Sequence, residues 1–266
     1  MVKVYPNGEE FIKENDAILK QNRYMSAFFY WDAPFITESN QVNYALRVAQ
    51  GESVLLGMKV EPFNLLLYGN SECLEELLAF IKDNGYELTG ILTSQSIGDA
   101  LLDISPRVLG KEYYQQIGMD FMTATEISEP SSDEVEIPTL NDVDEIYHLM
   151  INFIKDCGLT DEVHKEKIGE RISDYRIIRR DDKIVSLSRR SPDTDTSIRI
   201  SAVYSRPEYR NQKLARKVVN YLKNEIINEG KIATLNVDQA NPISYHLYSS
   251  LGFKKVFSQG IFLLKQ

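Results

Sequence analysis

Apolar positions in the C-terminal half of the chain recur with two periods. Val143, Ile146, Leu149, Met150 and Phe153 fall three and four apart, which predicts an amphipathic helix that Asn141 or Asp142 could cap. A second, more polar helix is expected over 161–173. Tyr175–Arg180 and Lys183–Ser188 predict two strands joined at Asp181-Asp182, since aspartate tolerates turn geometry. Ser197–Ser205 alternates and carries β-branched residues, so it predicts a further strand. After Pro207 comes a long amphipathic helix with Leu214, Val218, Val219, Leu222 and Ile226 on one face, ended by Glu229-Gly230. Lys231–Val237 predicts a strand, Asn241-Pro242 opens a helix through Tyr248 that stops at Gly252, and Phe253–Leu264 predicts a last strand. This order predicts an α/β (α+β) unit: a mixed, mostly antiparallel sheet flanked by helices.

The N-terminal half has a similar rhythm. Leu65–Tyr68 predicts a strand, and Ser71–Asn84 a helix with Leu74, Leu77, Leu78 and Ile81 on its apolar face and a stop at Gly85. Glu87–Thr93 predicts the next strand. Between the halves, the run from Glu126 to Pro138 is acidic, small and proline-punctuated. It reads as a linker. The expected organisation is therefore a domain over 1–128, a linker over 129–136 and a domain over 137–266. The longest apolar stretches, near Ser53–Val60 and Asn64–Tyr68, are too short to cross a bilayer, and Met1–Pro6 has no apolar leader. A soluble, cytoplasmic protein that does not engage a membrane is the expectation.

The chain has 266 residues, enough for about two domains, and its 43% hydrophobic and 26% charged residues exclude wholesale disorder. A net charge of −9 argues against a nucleic-acid partner and suits a cationic small substrate. Two cysteines, Cys73 and Cys157, and three histidines, His148, His164 and His246, give no disulfide framework and no metal constellation. No metal is expected.

Three segments stand in a telling order: Val203-Tyr204-Ser205-Arg206-Pro207-Glu208-Tyr209-Arg210-Asn211-Gln212-Lys213-Leu214-Ala215, then Asn236-Val237-Asp238-Gln239-Ala240-Asn241-Pro242, then Leu247-Tyr248-Ser249-Ser250-Leu251-Gly252-Phe253. In the first, a strand feeds a loop and then a helix. A helix N-terminus offers unpaired N–H groups and the positive end of its dipole, which suits a pyrophosphate. Arg206, Arg210, Lys213, Arg216 and Lys217 surround that end, the densest positive cluster on an acidic chain. Taken alone, the cluster also reads as a solvated basic helix start.

Together the three segments resemble the GNAT superfamily of acyl-CoA-dependent N-acyltransferases, from Glu136 to the C-terminus. The resemblance implies an acetyltransferase that passes an acetyl group from acetyl-CoA directly to a primary amine. It implies coenzyme binding by the strand end Val203, Tyr204 and Ser205, whose backbone pairs in the family with the pantetheine arm. It also implies a pyrophosphate loop made of Arg210, Asn211, Gln212, Lys213, Leu214, Ala215 and Arg216, and an arm contact from Asn241. Tyr248 matches the tyrosine that protonates the departing thiolate, a role that suits a positioned phenol. A helix tyrosine packing against Phe253 is the plain structural reading of the same residue. The sequence departs from the family at Asn211 and Lys213, which stand where the family has glycines. Asparagine tolerates unusual backbone angles. Lysine there could crowd the pyrophosphate or add a charge to it. No general base is visible: Ile198–Tyr204 has no carboxylate, Glu208 lies in the loop, and Asp238 follows a strand.

The N-terminal half echoes the fold, and Tyr114-Gln115-Gln116-Ile117-Gly118-Met119 sits beside the Tyr248–Phe253 pattern as the echo's last part. A degenerate second GNAT-like domain, hence a tandem, is the expectation. Only Gly69-Asn70 separates its strand from its helix, and Glu72, Glu75 and Glu76 follow, which would repel a pyrophosphate. This half is expected to bind no coenzyme, and to wall the acceptor side or build an interface, leaving a homodimer open. Tyr24, Phe28, Phe29, Tyr30, Trp31 and Phe35 cluster in one stretch, as core or as the lining of an acceptor pocket or dimer surface. The competing functional reading is a catalytically inactive protein of this fold that senses acyl-CoA or mediates assembly.

Overall fold

The structure, a computed structural model, describes residues 1–39, 42–158 and 162–265. Its N-terminal elements are β1 (Val2–Tyr5), α1 (Gly8–Leu19), α2 (Arg23–Asp32), β2 (Tyr44–Gln50), β3 (Ser53–Lys59), β4 (Leu65–Gly69), α3 (Leu74–Asp83), β5 (Gly90–Ser94), α4 (Gln95–Leu109) and β6 (Tyr113–Ala124). Then come α5 (Val143–Asp156), α6 (Lys165–Glu170), β7 (Tyr175–Arg180), β8 (Lys183–Thr194), β9 (Ser197–Ser205), α7 (Leu214–Asn228), β10 (Ile232–Asp238), α8 (Pro242–Ser250) and β11 (Lys254–Leu264). The same order occurs twice: three strands, a helix, a strand, a helix and a last strand.

The chain forms two compact units. The first holds Met1–Asp120 with Asp238–Ala240 and Phe257–Gln266; the second holds Phe121–Val237 with Asn241–Val256. In the first, β1, β2, β3 and β4 form an antiparallel run, β5 joins β4 in parallel, and β11 pairs antiparallel with β5. Alternate residues face opposite sides, as the pleat requires. Leu55, Leu65 and Leu67 pack under α3 and α4, and Leu56, Met58 and Leu66 pack under α1 and α2. Gly98 of α4 leaves room for the Phe262 ring of β11, which a Cβ there would meet at 1.9 Å. Of the early aromatic cluster, Phe29 is core, whereas Trp31 and Phe35 are exposed.

In the second unit β7, β8 and β9 are antiparallel and β10 joins β9 in parallel. Ile178, Val185 and Ile200 bury one face under Val218, Val219, Leu222 and Ile226 of α7. Ile177, Ile184 and Leu187 bury the other under Ile146 and Leu149 of α5. The β7–β8 turn puts Asp181 and Asp182 at φ +49° and +60°, the left-handed geometry of a tight hairpin.

Several expectations need correction. The cut between units falls at Asp120/Phe121, within β6, and β11 from Phe257 onward belongs to the first unit, so 137–266 is not a single compact unit. The segment 129–136 is no free linker but a strap on α7. Asn220 Nδ2 donates to Pro130 O at 2.9 Å, Asn224 Nδ2 to Glu129 O at 2.8 Å, and Arg216 pairs with Glu129 at 2.6 Å. Polar groups on one face of a helix satisfied the backbone of a stretch too polar to bury itself. Tyr114–Gly118 lies in β6, not on a helix, so it does not match Tyr248–Gly252. The element in that position is α4, ended by Gly110 at φ +67°. Thr139, rather than Asn141 or Asp142, begins the α5 region, in a capping box where the Thr139 N–H donates to Asp142 Oδ2 at 2.7 Å. The expected polar helix shortens to α6, and its first residue, Asp161, lies outside the described residues.

Candidate active site

Strand β9 does not end as a regular ladder. Against β8, Leu187 faces Tyr204 and Arg189 faces Ser201, so three steps along β9 match two along β8. Ala202 absorbs the extra residue with a left-handed φ of +53°. This is a bulge, and it turns the strand end. Against β10, the parallel ladder joins Ser197–Arg199 to Ile232–Thr234. Both strands run on, to Ser205 and Asp238, without further ladder pairs between them among the described residues. The β10-side edge of Val203 to Ser205 is thereby left without a neighbouring strand. The Tyr204 side chain turns the other way, edge-on to Phe153 at 6.5 Å and beneath the Arg210 guanidinium at 5.8 Å. Burial pushes its phenol pKa up. Only the backbone of Tyr204 belongs to the open edge.

From Ser205 the chain passes through a short turn into α7. Asn211 and Lys213 hold φ of +64° and +60°. Both positions where glycine was expected therefore keep the backbone that glycine adopts. Lys213 is the residue before α7 and makes no side-chain cap. The first helical bond runs from Lys217 N to Lys213 O at 3.2 Å, so the amides of Leu214, Ala215 and Arg216 have no acceptor within the helix. Leu214 anchors the turn in the core beneath α7, while Gln212 and Lys213 are exposed.

The positive cluster is largely paired. Arg206 turns to Glu145 at 2.8 Å and to the Ile184 carbonyl at 2.7 Å, so it braces the β8 start against α5. Arg210 meets Asp156 at 2.7 Å, Arg216 meets Glu129 and Ser250, and Lys217 meets Glu134. Lys213 is the member with no ion pair among the described residues. Sequence reasoning missed Asp156, Glu145 and Glu129 as partners, because they lie 54 to 87 residues away along the chain.

Tyr248 is 6% exposed and lies in the same core cluster as Leu214 and, at its margin, Val203. Its ring meets Phe253 edge-on at 6.2 Å. Burial pushes its phenol pKa up to about 12, against a hydrogen bond with Ser244 that lowers it, so the hydroxyl keeps its proton at neutral pH. Asn241 Oδ1 accepts from the Ser244 N–H at 3.0 Å and caps α8, which leaves its amide NH2 for any other contact. Glu208 is exposed in the turn, and Asp238 Oδ1 accepts the Ala240 N–H at 2.8 Å. No group of three or more metal-ligating side chains occurs among the described residues. No helix among them is long and apolar enough to cross a membrane.

The corresponding place in the first unit is built differently. The β4–β5 parallel ladder also stops early, after Leu66 and Leu92. There the Thr93 hydroxyl fills the edge by donating to Leu67 O at 3.0 Å. Gly69 and Asn70 lead straight into a tight turn at Ser71–Cys73, and Glu72, Glu75 and Glu76 follow.

With its bulged strand, its parallel neighbour that parts from it and its uncapped helix start, the chain has the GNAT fold. A family model described as FR47-like protein matches residues 190–261. The whole chain is similar to a GNAT-family acetyltransferase from Colwellia psychrerythraea, with 12% identity, TM-score 0.61 and 100% of each chain covered. It is also similar to a GCN5-related N-acetyltransferase from Sphaerobacter thermophilus, with 14% identity, TM-score 0.57, and 83% of this chain and 80% of that one covered. A tandem GNAT protein from the clavulanic acid biosynthesis pathway aligns at 8% identity and TM-score 0.50, over 84% of this chain and 82% of its own. No curated protein matches the chain.

Proposed function

We propose that the protein is an acetyl-CoA-dependent N-acetyltransferase whose donor site lies in the second unit. The observation that carries this reading is the left-handed backbone at Asn211 and Lys213 before the uncapped start of α7. Such a turn would suit a phosphate-cradling loop without glycine at either position. The amides of Leu214, Ala215 and Arg216 would hold the pyrophosphate, with Lys213 as an added cation. The open edge of Val203 and Ser205 would pair with the pantetheine arm, and the Asn241 amide would contact it.

Acetyl-CoA, when bound, supplies the thioester carbon. A neutral primary amine attacks that carbon, the carbon–sulfur bond breaks, and the nitrogen gives up a proton to water as the amide forms. The Tyr248 phenol, kept protonated by burial, would give its proton to the departing sulfur. Holding the two reactants together supplies much of the acceleration. The acidic chain, net −9, favours a cationic acceptor. The first unit, with Thr93 across its strand edge and glutamates at its helix start, would take no coenzyme.

The test is a calorimetric titration of acetyl-CoA into wild type and Lys213→Glu. Binding that weakens at least about tenfold in the variant supports the donor site, and release of CoA thiol with an amine panel then supports transfer. Binding without thiol release from any amine favours the sensing alternative. No binding by wild type overturns both and leaves an assembly protein of this fold.

A further inference from the structure

The first unit carries a cavity of about 460 Å³. It touches the chain just after α3 ends, at Asn84 and Tyr86, and so lies at the opposite end of that helix from the strand edge filled by Thr93. Tyr5 at the end of β1, Ile36 and Glu38 after α2, and Tyr44 at the start of β2 form the other walls. Its size is that of small-molecule sites.

The walls have a definite chemistry. The Tyr44 and Tyr86 rings lie 4.5 Å apart between centroids, tilted by 39°. Tyr44 is buried, and desolvation raises its phenol pKa, so this wall stays uncharged at any physiological pH. Glu38 stands exposed at the rim, with no cation paired to it among the described residues. No lysine or arginine lines the cavity among those residues. Ring faces and an unpaired carboxylate both attract positive charge, and the described lining offers an anion no cationic side chain.

We propose that this cavity binds a small organic ammonium ion, with the Tyr44 and Tyr86 rings as its apolar and π-bearing wall and Glu38 as its counter-charge. This site lies in the first unit and its occupancy does not depend on acetyl-CoA binding.

The experiment titrates the full-length, 15N-labelled protein with three probes of one shape: 2-phenylethylammonium, neutral 2-phenylethanol and anionic phenylacetate. The expected result is saturable amide shifts at Glu38, Asn84 and Tyr86, strongest with the ammonium, weaker with the alcohol and absent with phenylacetate. Glu38→Gln, at an exposed position, should weaken the ammonium about three- to fivefold and leave the alcohol unchanged. Tyr44→Phe keeps the ring and should keep the binding. No shifts at these residues, an equal response to phenylacetate, or unchanged ammonium affinity in Glu38→Gln each overturn the proposal. None of these outcomes involves coenzyme or turnover, so its failure leaves the donor-site reading standing.

Discussion

Asn211 and Lys213 hold the same left-handed backbone, φ +64° and +60°, on either side of Gln212. Side chains other than glycine resist that conformation by roughly 1–2 kcal/mol, asparagine less than lysine. The loop thus keeps a shape its residues do not favour locally. Leu214, buried under α7, and Arg210, tied to the Ser205 carbonyl and Asp156, hold its two ends.

Lys213→Gly should therefore stabilise the protein by roughly 0.5–1 kcal/mol, because strain relief exceeds the added freedom of the unfolded chain. Lys213→Val should destabilise it by about 1–2 kcal/mol. Urea denaturation of both variants measures this. A less stable Lys213→Gly would mean that the left-handed turn is absent.

Tyr248→Phe separates packing from chemistry. The ring still packs against Phe253, so thermal stability at pH 7 and acetyl-CoA affinity should change little. Turnover with a competent amine should fall by about 10²- to 10⁴-fold if the phenol is the acid. An unchanged turnover rate would remove Tyr248 from the mechanism.

The same residue gives a pH dependence. Its phenol ionises near 10 when unfolded and is pushed by burial to about 12 when folded. The folded state therefore holds the proton more tightly. The associated stability, about 3 kcal/mol, is fully present below pH 10 and is lost as pH rises from 10 through 12. Alkaline denaturation of Tyr248→Phe should show a shallower fall across that window than wild type. Equal slopes would place the phenol in contact with solvent.

Lys223 is buried in α7, and its amine donates to the Leu251 carbonyl at 2.9 Å and to Ser128 Oγ at 2.7 Å. Desolvation lowers its pKa. Lys223→Ala leaves a cavity, while Ser128 Oγ still donates to the Leu251 carbonyl at 3.1 Å, so it should destabilise by about 2–4 kcal/mol. Limited proteolysis should then cut within the strap, 129–136, sooner than in wild type. Resistance there would show that Asn220, Asn224, Arg216 and Lys217 suffice to hold it.

The Tyr44 hydroxyl is buried and has no partner among the described residues. Tyr44→Phe should raise stability by about 1 kcal/mol in chemical denaturation, since it removes an unsatisfied donor and keeps the ring. A loss of stability instead would reveal a bonded water at that hydroxyl.

The sequence by itself determined the local elements and the order in which they follow. Alternation placed β9 at Ser197–Ser205, and a three-four spacing of apolar residues placed α7 behind the loop. Those periods are properties of short stretches, so they survive without any knowledge of the rest of the chain. The three motif segments also placed the loop before α7, Asn241 and Tyr248 in one half of the fold. Only the tertiary structure decided the rest. That Asn211 and Lys213 stand in for glycines by adopting a left-handed turn depends on what anchors the loop at each end. Residue type alone argues against it for lysine. That four of the five clustered cations are already paired depends on carboxylates brought from α5 and the strap. That β11 packs with the first unit, and that Tyr114–Gly118 is strand rather than helix, depends on which strand wins a place beside β5. Partner choice of this kind is settled by contacts between residues far apart along the chain, and hydrophobic periodicity carries no record of them.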